Sequence, residues 1–425
     1  MSRELPVFQT DVLVVGGGPG GFGAAMGAAR LGVRVMLVER YGFLGGMNTA
    51  GLVNPFQYSN LDGKRITCGI FSEVVAELEK RGAGKHGELF GQPNFAFDVE
   101  QLALLEMEMV RQAGVALLLH SCATVIVTQG TTINGVVVEN KSGMQRIFAK
   151  MFVDATGDAD VSARCGVPTE TGRFQDGLMQ PMTLNFQLGG VNFSKMPSRD
   201  EINKIYTDEK KKGHIKNPRE NVLWFETVRS DVIHMNTVRI QGVDGTDARD
   251  LTRAEVEGRD QMLEMINFLK KKISGFEKCY LLRVATQIGV RETRRIIGDF
   301  ILSENDVLSG RRFPDVIARG SYPIDIHMPT GEGTKWVPLD PGVASDIPYR
   351  SIIPTRMHNL VIAGRPISVS HEAFSSTRVS PTCMIVGQAA GVAAALALKK
   401  KIPPKKLDVG ELQRNLMEQG ADLGI

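Results

Sequence analysis

The segment DVLVVGGGPGGFGAA, residues 11–25, is the strongest indication of fold in this 425-residue chain. Its Val- and Leu-rich start predicts a short buried strand that ends in glycines, and the small residues after Pro19 predict a helix. The segment VRVMLVER, residues 33–40, predicts a second buried strand. The order strand, glycine turn, helix, strand is that of a βαβ unit, which binds a dinucleotide at the turn.

The glycines of this turn follow the G-x-G-x-x-G spacing at Gly16, Gly18 and Gly21. Gly16 permits the tight turn, Gly18 lets the backbone approach a pyrophosphate, and Gly21 lets the helix pack against the strand. The helix start offers free N–H groups and the positive end of its dipole to the phosphates. Glu39 ends the second strand, where its carboxylate can bind ribose hydroxyls and disfavours the 2′-phosphate of NADP.

Three later segments distinguish a flavin from a nicotinamide cofactor. RYGFLGGMNTAG, residues 40–51, contains a second glycine turn, which an extended flavin needs and a usual NAD site does not. AKMFVDATGDADVSARCG, residues 149–166, predicts a buried strand that ends at the same sheet edge as the first turn. Residues 357–400 predict another strand, NLVIAG, and a long helix of small residues.

The start of this last helix favours a flavin. Ser380 is predicted as its N-cap and Pro381 as its first residue, which leaves the N–H groups of Thr382 and Cys383 free. A reduced flavin carries negative charge at its N1–C2=O edge, and a helix N-terminus stabilises such charge. A plain NAD dehydrogenase has no use for this element.

These segments resemble FAD-dependent oxidoreductases of the glutathione-reductase-like flavoprotein superfamily. The branch with a single FAD-binding Rossmann domain and a cap, related to fumarate reductase and heterodisulfide reductase A flavoproteins, is the more similar one. IGVRETRRIIGDFILSENDV, YPIDIHMP and IPYRSIIP also resemble it, so the similarity extends over nearly the whole chain. The resemblance implies an α/β fold: an FAD/NAD(P)-binding Rossmann-like domain, with a parallel sheet and a β-meander, plus a discontinuous α+β substrate or cap domain.

The resemblance also implies non-covalent FAD and places its parts on this chain. The pyrophosphate lies on the first glycine turn, the adenosine ribose on Glu39 and the adenine beside Ala123. Relatives with covalent flavin use a histidine in the loop after the second strand, where this chain has Met47 and Asn48. The predicted cofactor-binding residues are Gly16, Gly18, Pro19, Gly20, Gly21, Glu39, Arg40, Gly45, Gly46, Met47, Ala123, Thr156, Gly157, Asp158, Gly364, Arg365, Ser380, Pro381 and Thr382.

The length of the chain predicts two joined domains rather than one core. We expect an FAD-binding domain made of residues 1–171 and 346–425, and a substrate or cap domain made of residues 172–345. In the first, residues 125–156 predict a β-meander with turns at Gly130, Asn134–Gly135 and Ser142–Gly143. In the second, a helix is predicted from Thr252 as N-cap, with Glu255 completing a capping box.

Four residues are candidates for catalysis: Arg291, Arg294, His327 and His371. The arginines of GVRETRRIIGD can bind a carboxylate or phosphate, or can pair with a glutamate on the surface. Asp325 and His327 share one face of an extended YPIDIHMP segment, so they form an acid/base pair unless the histidine only packs. His371 lies just before the predicted flavin-facing helix. No metal site is expected.

Composition and charge limit the partners. The net charge of +3 and the absence of a long basic run argue against nucleic acid. We find no apolar run that approaches the ~18 residues of a membrane span, and no apolar signal at the N-terminus. Five scattered cysteines suggest a reducing compartment, so the cytoplasm is the expected location. The sequence is compatible with a homo-oligomer.

Several flavin chemistries lack their sequence signatures. There is no CxxxxC after the first βαβ unit for dithiol reduction, no second GxGxxG for a built-in NADH domain, and no WxWxIP-like segment for halogenation. The His and Arg spacing of fumarate reductases is also absent. The leading hypothesis is therefore oxidation or reduction of a small organic substrate, anionic if the arginines bind it. An electron-transfer subunit with a redox partner protein and a flavin-binding protein without turnover are the alternatives.

Overall fold

The computed structural model describes residues 5–425. As far as residue 171 its elements are β1 Val7–Gln9, β2 Val12–Val15, α1 Pro19–Ala29, β3 Val35–Val38, β4 Phe56–Gln57, β5 Asn60–Leu61, β6 Lys64–Arg65, α2 Ile70–Lys80, β7 Gly84–Leu89, β8 Gln92–Phe97, α3 Val99–Gln112, β9 Ala116–Leu118, β10 Cys122–Gln129, β11 Thr132–Asn140, β12 Gly143–Phe148, β13 Met151–Asp154, α4 Asp160–Arg164 and β14 Thr169–Thr171.

The elements that follow are β15 Phe186–Gly189, α5 Arg199–Lys211, β16 Trp224–Glu226, β17 Ile233–Met235, α6 Ala248–Lys272, β18 Tyr280–Val284, β19 Arg294–Ile296, α7 Glu304–Leu308, β20 Val316–Gly320, β21 Ile324–His327 and β22 Thr334–Val337. The last are β23 Ser345–Pro348, β24 Leu360–Ile362, α8 His371–Thr377, α9 Ser380–Lys400 and α10 Val409–Glu418.

A five-stranded sheet of order β24-β13-β2-β3-β9 forms the centre of the fold. All four of its pairings are parallel, and the four strands β24, β13, β2 and β3 are fully or nearly fully buried because helices cover them, while the edge strand β9 is partly exposed. The chain leaves β2 toward β3 on one side and returns to β13 on the other. This reversal opens a crevice at the carboxyl ends of the strands. The predicted Rossmann-like α/β fold is confirmed.

The predicted β-meander is present as the antiparallel strands β10, β11 and β12, with β1 added in parallel. Turns lie at Gly130 and just before Gly143, as predicted. The predicted turn at Asn134–Gly135 is wrong, because Gly135 lies inside β11, paired with Val127 and Phe148. The chain has already reversed at Gly130, so the Asn-Gly pair only continues the ladder.

A second sheet, of order β16-β17-β15-β18, is antiparallel, and α6 packs against neighbouring segments. This helix begins earlier than predicted. Asp247 is its N-cap and accepts hydrogen bonds from the N–H groups of Arg249 and Asp250, whereas Thr252 donates to the carbonyl of Ala248 one turn into the helix. The prediction of Thr252 as the cap is wrong because an aspartate upstream caps the helix first.

The predicted domain bounds remain a prediction. Two strand pairs join residues on either side of them: β14 pairs with β19, and β20 pairs with β23. The segments assigned to the two domains are therefore hydrogen-bonded to each other near both bounds.

Helix α9 starts beside the crevice. Its first residue is Ser380, and the N-cap position is held by Val379, so no side chain caps the helix. The prediction of Ser380 as N-cap is wrong by one position because only two residues separate α8 from α9, and Val379 takes the extended conformation between them.

The same helix corrects the expectation that no apolar run reaches membrane length. Ser380–Lys400 is long and apolar enough to cross a membrane, but 94% of its most apolar window is buried inside the fold. A core helix passes the same test of length and composition. The burial of α9 by α1, α10 and the central sheet is that of a core helix.

Candidate active site

The loops that follow the parallel strands meet at one sheet edge. Gly16 follows β2, Glu39 follows β3, and Gly364 lies two residues after β24. Gly16 has φ +103°, and a side chain there would overlap the carbonyl oxygen of Ala155, which follows β13. The residue must be glycine because of both its backbone conformation and this close approach.

Gly18 differs from its neighbours, because no protein atom requires it to be glycine. Its φ is −73°, and a Cβ there would lie 3.6 Å from the Cα of Gly46, the nearest atom. A Cβ on Gly20 would lie 2.7 Å from the Cα of Gly364, and one on Gly21 would overlap the oxygen of Gly16. The space above Gly18, at the N-terminus of α1, is where a diphosphate oxygen fits. Pro19 is the first residue of this helix.

The side chain of Glu39 stabilises the first glycine turn through hydrogen bonds. Its carboxylate accepts hydrogen bonds from the N–H of Gly17 at 2.6 Å and of Tyr41 at 2.9 Å, and the residue is buried. The N–H of Ser121 donates to the Glu39 carbonyl, which brings the start of β10, with Ala123, beside this edge. The arrangement fits the predicted adenosine end of the cofactor.

The second glycine turn is tied directly to the first. The N–H of Gly45 donates to the carbonyl of Gly17 at 2.9 Å, and Gly46 and Met47 begin a 3₁₀ turn. Arg40, just before this loop, is exposed and donates to Gln287. The two glycine turns, at residues 16–21 and 45–46, lie side by side and are called the cradle below. Met47, which follows the second turn, lines the cleft described below.

An ion pair lies in the loops that follow β13 and β24, at the same sheet edge as the cradle. Asp158 and Arg365 form an ion pair beside Gly157, while Thr156 bonds to Asp154 and Asp160. Arg365 Nη1 is buried and has no hydrogen-bond partner. A buried donor without an acceptor is costly, so Arg365 Nη1 is available to a ligand oxygen, in line with the prediction that Arg365 binds the cofactor.

The start of α9 lies at the same place. Ser380 lines the cleft, and Pro381, Thr382 and Cys383 are buried in the first turn. The Cys383 thiol is enclosed, and this burial raises its pKa to about 12. The prediction that the Cys383 N–H is free is wrong: it donates to the Val379 carbonyl at 3.0 Å, because Val379 occupies the N-cap position and its carbonyl starts the helical ladder. The other N–H groups of the first turn lack partners within the helix, as at any helix start.

A cleft of about 650 Å³ extends from this end of the cradle into the residues of the second sheet. Met47, Arg365 and Ser380 line it on the cradle side, and residues of β4, β16, β21 and β22, with Asn236 just after β17, line other parts. Two of the four predicted catalytic residues, Arg291 and His327, line it as well. The cleft is large enough for a substrate next to a flavin ring.

Arg291 is the guanidinium of this cleft that lacks an acidic partner among the described residues. Its Nη1 donates to the Pro181 carbonyl at 2.7 Å and to Thr183 Oγ1 at 2.5 Å. Burial, followed by the guanidiniums of Arg378 and Arg219, holds the pKa of Arg291 well below its ordinary range. An arginine still carries its charge under these conditions, so an anion in the cleft gains a strong attraction.

His327 lies on β21 next to Asp325, as the alternation of an extended strand requires. Its Nε2 is 3.7 Å from Asp325 Oδ1, and Asp325 Oδ2 accepts a hydrogen bond from Tyr322 at 3.2 Å. Burial and the cation Arg291, with other arginines, lower the pKa of His327 well below its ordinary value. The imidazole is therefore neutral at neutral pH and able to accept a proton.

The other two candidates, Arg294 and His371, are not among the cleft-lining residues within 5–425. Arg294 donates to the carbonyl of Asp158 at 2.8 Å and pairs with Asp160 at 3.1 Å. His371 Nδ1 lies 2.8 Å from Glu292 Oε1 in a buried cluster. These contacts connect both residues to the framework of the site, and their predicted catalytic roles stay predictions.

Sequence reasoning missed several residues that the fold brings to the site. Arg219 and Trp336 line the cleft but come from segments without a motif, and Tyr322 lines it from the YPIDIHMP segment, in which only Asp325 and His327 were singled out. Glu106 had a readable signal: it lies on the apolar stripe of α3, four residues after Leu102, where a charged residue is unexpected. Its carboxyl has no hydrogen-bond partner, and burial raises its pKa to about 8.

Comparison with known families gives one match of nearly full length. The sequence profile of a family described as FAD dependent oxidoreductase matches residues 11–416.

Curated relatives match only in short segments. Dihydrolipoyl dehydrogenase from Haemophilus influenzae is 34% identical over 98 residues, which are 20% of this chain and 19% of that protein. Soluble pyridine nucleotide transhydrogenase from Serratia proteamaculans is 54% identical over 39 residues, 9% of this chain and 8% of that protein. The chain thus matches about a fifth or less of the length of these relatives.

Solved structures match over almost the whole chain at low identity. CabE, an aromatic hydroxylase from angucycline biosynthesis, is 12% identical with a TM-score of 0.50, covering 96% of this chain and 68% of that one. A geranylgeranyl bacteriochlorophyll reductase-like protein from Thermoplasma acidophilum is 12% identical with a TM-score of 0.48, covering 98% and 85%. At such identities the similarity to CabE speaks for the fold alone.

Proposed function

The chain belongs to the FAD dependent oxidoreductase family, and from this premise we propose that it is an enzyme that oxidises or reduces a small anionic organic substrate. FAD is its cofactor. We place the substrate in the 650 Å³ cleft, with its anionic group at Arg291.

One observation carries this proposal: Arg291 is the lining arginine that has no carboxylate of the described residues within 4 Å. The other lining arginines each have a carboxylate within 4 Å, in the pairs Arg219–Glu220, Arg365–Asp158 and Arg378–Asp325. An enclosed charge without a counter-ion is unfavourable, so a site of this kind favours an anionic ligand.

Residues of the chain orient the substrate and transfer its proton, which the cofactor does not do. FAD, when bound, supplies the site that gives or accepts a hydride or electrons. Arg291 and Arg378 orient the anionic group and hold the substrate against the cofactor end of the cleft. The neutral imidazole of His327 accepts a proton from the substrate, and Asp325 stabilises the resulting imidazolium. In the opposite direction the same imidazolium returns the proton.

The cradle is proposed to hold the cofactor in the predicted orientation. The diphosphate lies over Gly18 at the start of α1, the ribose and adenine lie near Glu39 and Ala123, and the ring lies beside Met47, Arg365 and Ser380. The absence of a histidine in the loop around Met47 supports non-covalent binding. A homo-oligomer, a redox partner protein and a cytoplasmic location remain predictions, and five free cysteines support the last of these.

Anaerobic photoreduction of the purified holoprotein, followed by a screen of oxidants, tests the proposed reaction. We expect the reduced flavin to be reoxidised rapidly by a small unsaturated or carbonyl acid, with saturation in the acid concentration. Rapid reoxidation by a redox protein alone favours an electron-transfer subunit instead. A flavin that no acid or protein reoxidises, and that no reduced organic acid reduces, contradicts the enzyme assignment.

A matched pair of variants assigns the role of Arg291 in that screen. R291M removes the charge and R291K keeps it but loses the planar fork, so we expect the acid reaction to be lost in the first and weakened in the second. R173M is the control, because Arg173 is paired with Asp176 and does not line the cleft. Equal loss in R173M and R291M would point to a general effect on folding.

A further inference from the structure

We infer that the substrate is an amphipathic monocarboxylate, with its carboxylate at Arg291 and an aromatic or aliphatic body that extends toward the cleft mouth. The inference rests on the proposed function, which places the substrate in this cleft. It adds the chemical class of the substrate and the direction in which it lies.

The cleft offers a carboxylate one unpaired guanidinium at one end and apolar rings at the other. In the described part of the chain Arg291 has no carboxylate within 4 Å, whereas Arg365 and Arg378 each have one and Arg219 shares Glu220 with Arg239. One carboxylate of the ligand pairs with Arg291, whereas a second carboxylate on its body would be desolvated among the aromatic side chains at a cost.

Two free N–H donors are available to the two oxygens of a carboxylate. Arg291 Nη2 has only a contact of 3.5 Å to Asn236 Oδ1, at the limit of a hydrogen bond. Arg378 Nε is buried and has no hydrogen-bond partner. Both guanidiniums line the cleft and donate to adjacent residues, Arg378 to Gln180 Oε1 at 3.4 Å and Arg291 to the Pro181 carbonyl at 2.7 Å. A carboxylate between them satisfies both donors.

The mouth of the cleft is apolar and exposed. Phe90, at the turn of the β7–β8 hairpin, is 62% exposed, and Trp336 on β22 is 38% exposed, with ring centroids 6.5 Å apart. Deeper in the cleft, Tyr322 and His327 are only 7% and 8% exposed. Exposed aromatic residues that frame a cleft are typical of ligand contact surfaces.

The β21–β22 strand pair contributes side chains to both the buried part and the exposed mouth of the cleft. In the β21–β22 register Asp325 is opposite Trp336 and His327 is opposite Thr334. Opposite residues of antiparallel strands lie on the same face, so the proton-handling groups and Trp336 face the cleft together. A ligand held by its carboxylate at the deep end therefore places its body along this face toward Trp336 and Phe90.

Isothermal titration of the holoprotein with acetate, hexanoate, 3-phenylpropanoate, succinate and 3-phenylpropanamide tests the inference. We expect 3-phenylpropanoate and hexanoate to bind at least about tenfold more tightly than acetate and succinate, because each buried methylene adds to affinity. The neutral amide should bind at least about tenfold more weakly than its acid. Equal affinity of amide and acid, tighter binding of succinate, or no binding of any acid overturns the inference.

Variants locate the two ends of the ligand. R291M should weaken all the acids by about tenfold or more, and W336A should weaken 3-phenylpropanoate but leave acetate unchanged. F174A is the control for W336A, because Phe174 is fully exposed outside the cleft.

Tryptophan fluorescence tests the same direction independently. The chain has two tryptophans, so W224F makes Trp336 the sole reporter, and its fluorescence should change with 3-phenylpropanoate. An unchanged emission, or an F174A effect equal to that of W336A, contradicts the proposed direction.

This test separates failure of the inference from failure of the proposed function. If apolar monocarboxylates bind as expected but none exchanges electrons with the flavin, the inference holds and the proposed reaction fails. If the flavin reacts with small dicarboxylates and amphipathic acids do not bind, the proposed reaction holds and the inference fails.

Discussion

Gly18 is a position at which the protein itself does not require glycine, and we predict that the bound cofactor does. Its backbone conformation suits any residue, and the nearest atom to a built Cβ is 3.6 Å away. At Gly21, three residues further on, the protein itself excludes a side chain. Fold and cofactor binding are therefore separable within one turn.

Replacing Gly18 by alanine is expected to weaken FAD binding without unfolding the protein. The added methyl group enters the space where a diphosphate oxygen fits, so FAD affinity should fall at least about tenfold. The free energy of unfolding of the apoprotein should stay within ~1 kcal/mol of wild type. FAD titration and urea unfolding check both, with G410A on α10 as control. A G18A protein that binds FAD normally contradicts the predicted cradle.

Glu106 gives a prediction with a definite pH dependence. Because burial raises its folded pKa to about 8 from 4.5, the folded state keeps a proton that the unfolded chain loses as pH rises through this window. The stabilising contribution is complete below pH 4.5 and is lost by about pH 8. E106Q stays neutral, so its free energy of unfolding relative to wild type should rise by ~2 kcal/mol or more between pH 5 and 7.5.

Urea unfolding of the two proteins at these pH values measures this effect. E108Q serves as control, since Glu108 is exposed on the same helix and pairs with Arg81. A difference between E106Q and wild type that does not depend on pH means that Glu106 is charged in the folded protein.

At the residue scale, the sequence predicted the positions that belong to local motifs. Gly16, Gly18 and Glu39 have a fixed spacing within one βαβ unit, and the alternation in β21 placed Asp325 beside His327 correctly. Arg219 and Trp336 could not be predicted, because they reach the cleft only through the packing of distant segments.

At the scale of elements, helices α1 and α9 form the closest packing in the site region. A Cβ on Gly391 would overlap the carbonyl oxygen of Ala24, and one on Gly387 would overlap that of Gly20. Small residues let the two helix backbones approach, so the N-termini of both helices reach the cofactor crevice together. The small-residue composition of both helices was visible in the sequence, but their contact was not.

Substituting Gly391 by alanine should therefore lower the free energy of unfolding by ~1–3 kcal/mol, because an overlap with backbone cannot be relieved by a rotamer change. The matched control is G410A, where the nearest atoms to a built Cβ are side-chain atoms at 3.4 and 3.5 Å. That helix variant should be neutral or slightly stabilising. Urea unfolding compares the two, and equal effects would contradict the close packing of α1 on α9.

Element ends were harder to predict than the elements themselves. The helix predicted from Thr252 begins at Ala248, and the Asn134–Gly135 turn lies inside a strand. In each case a second residue able to do the same work, Asp247 or Gly130, lies nearby. Local propensity shows that a cap or turn belongs in the region, and tertiary packing decides between the alternatives.

At the scale of the whole molecule, two enclosed histidines make the fold sensitive to acid. Burial lowers the pKa of His234 to about 3, and that of His327 falls well below 6.5. Below pH 6.5 the unfolded chain binds protons that the folded chain does not. Each histidine therefore costs up to ~1.4 kcal/mol of stability per pH unit as the pH falls.

The His234 contribution can be isolated by H234L, because every other group titrates alike in the variant and in wild type. Neither ring nitrogen of His234 has a hydrogen-bond partner, so the substitution removes no such bond. The free energy of unfolding of H234L relative to wild type should rise by ~1 kcal/mol or more between pH 7 and pH 5. Chemical unfolding at both pH values measures it, and a constant difference would show that His234 is protonated in the fold.

The overall fold followed from the order of four buried strands and two glycine turns, because parallel strands bring their carboxyl ends to one edge. The class of substrate could not be predicted from the sequence in this way. Its site combines Arg291, Arg378 and Trp336, which are far apart along the chain, and the surplus charge appears only when all ion pairs in the cleft are known.

The visible absorbance of the bound flavin during titration with 3-phenylpropanoate reports whether an anion binds next to the ring. We expect a saturable shift in wild type and none in R291M at the same FAD content. No shift in wild type, or an equal shift in R291M, would contradict a cleft in which Arg291 holds an anion against the cofactor.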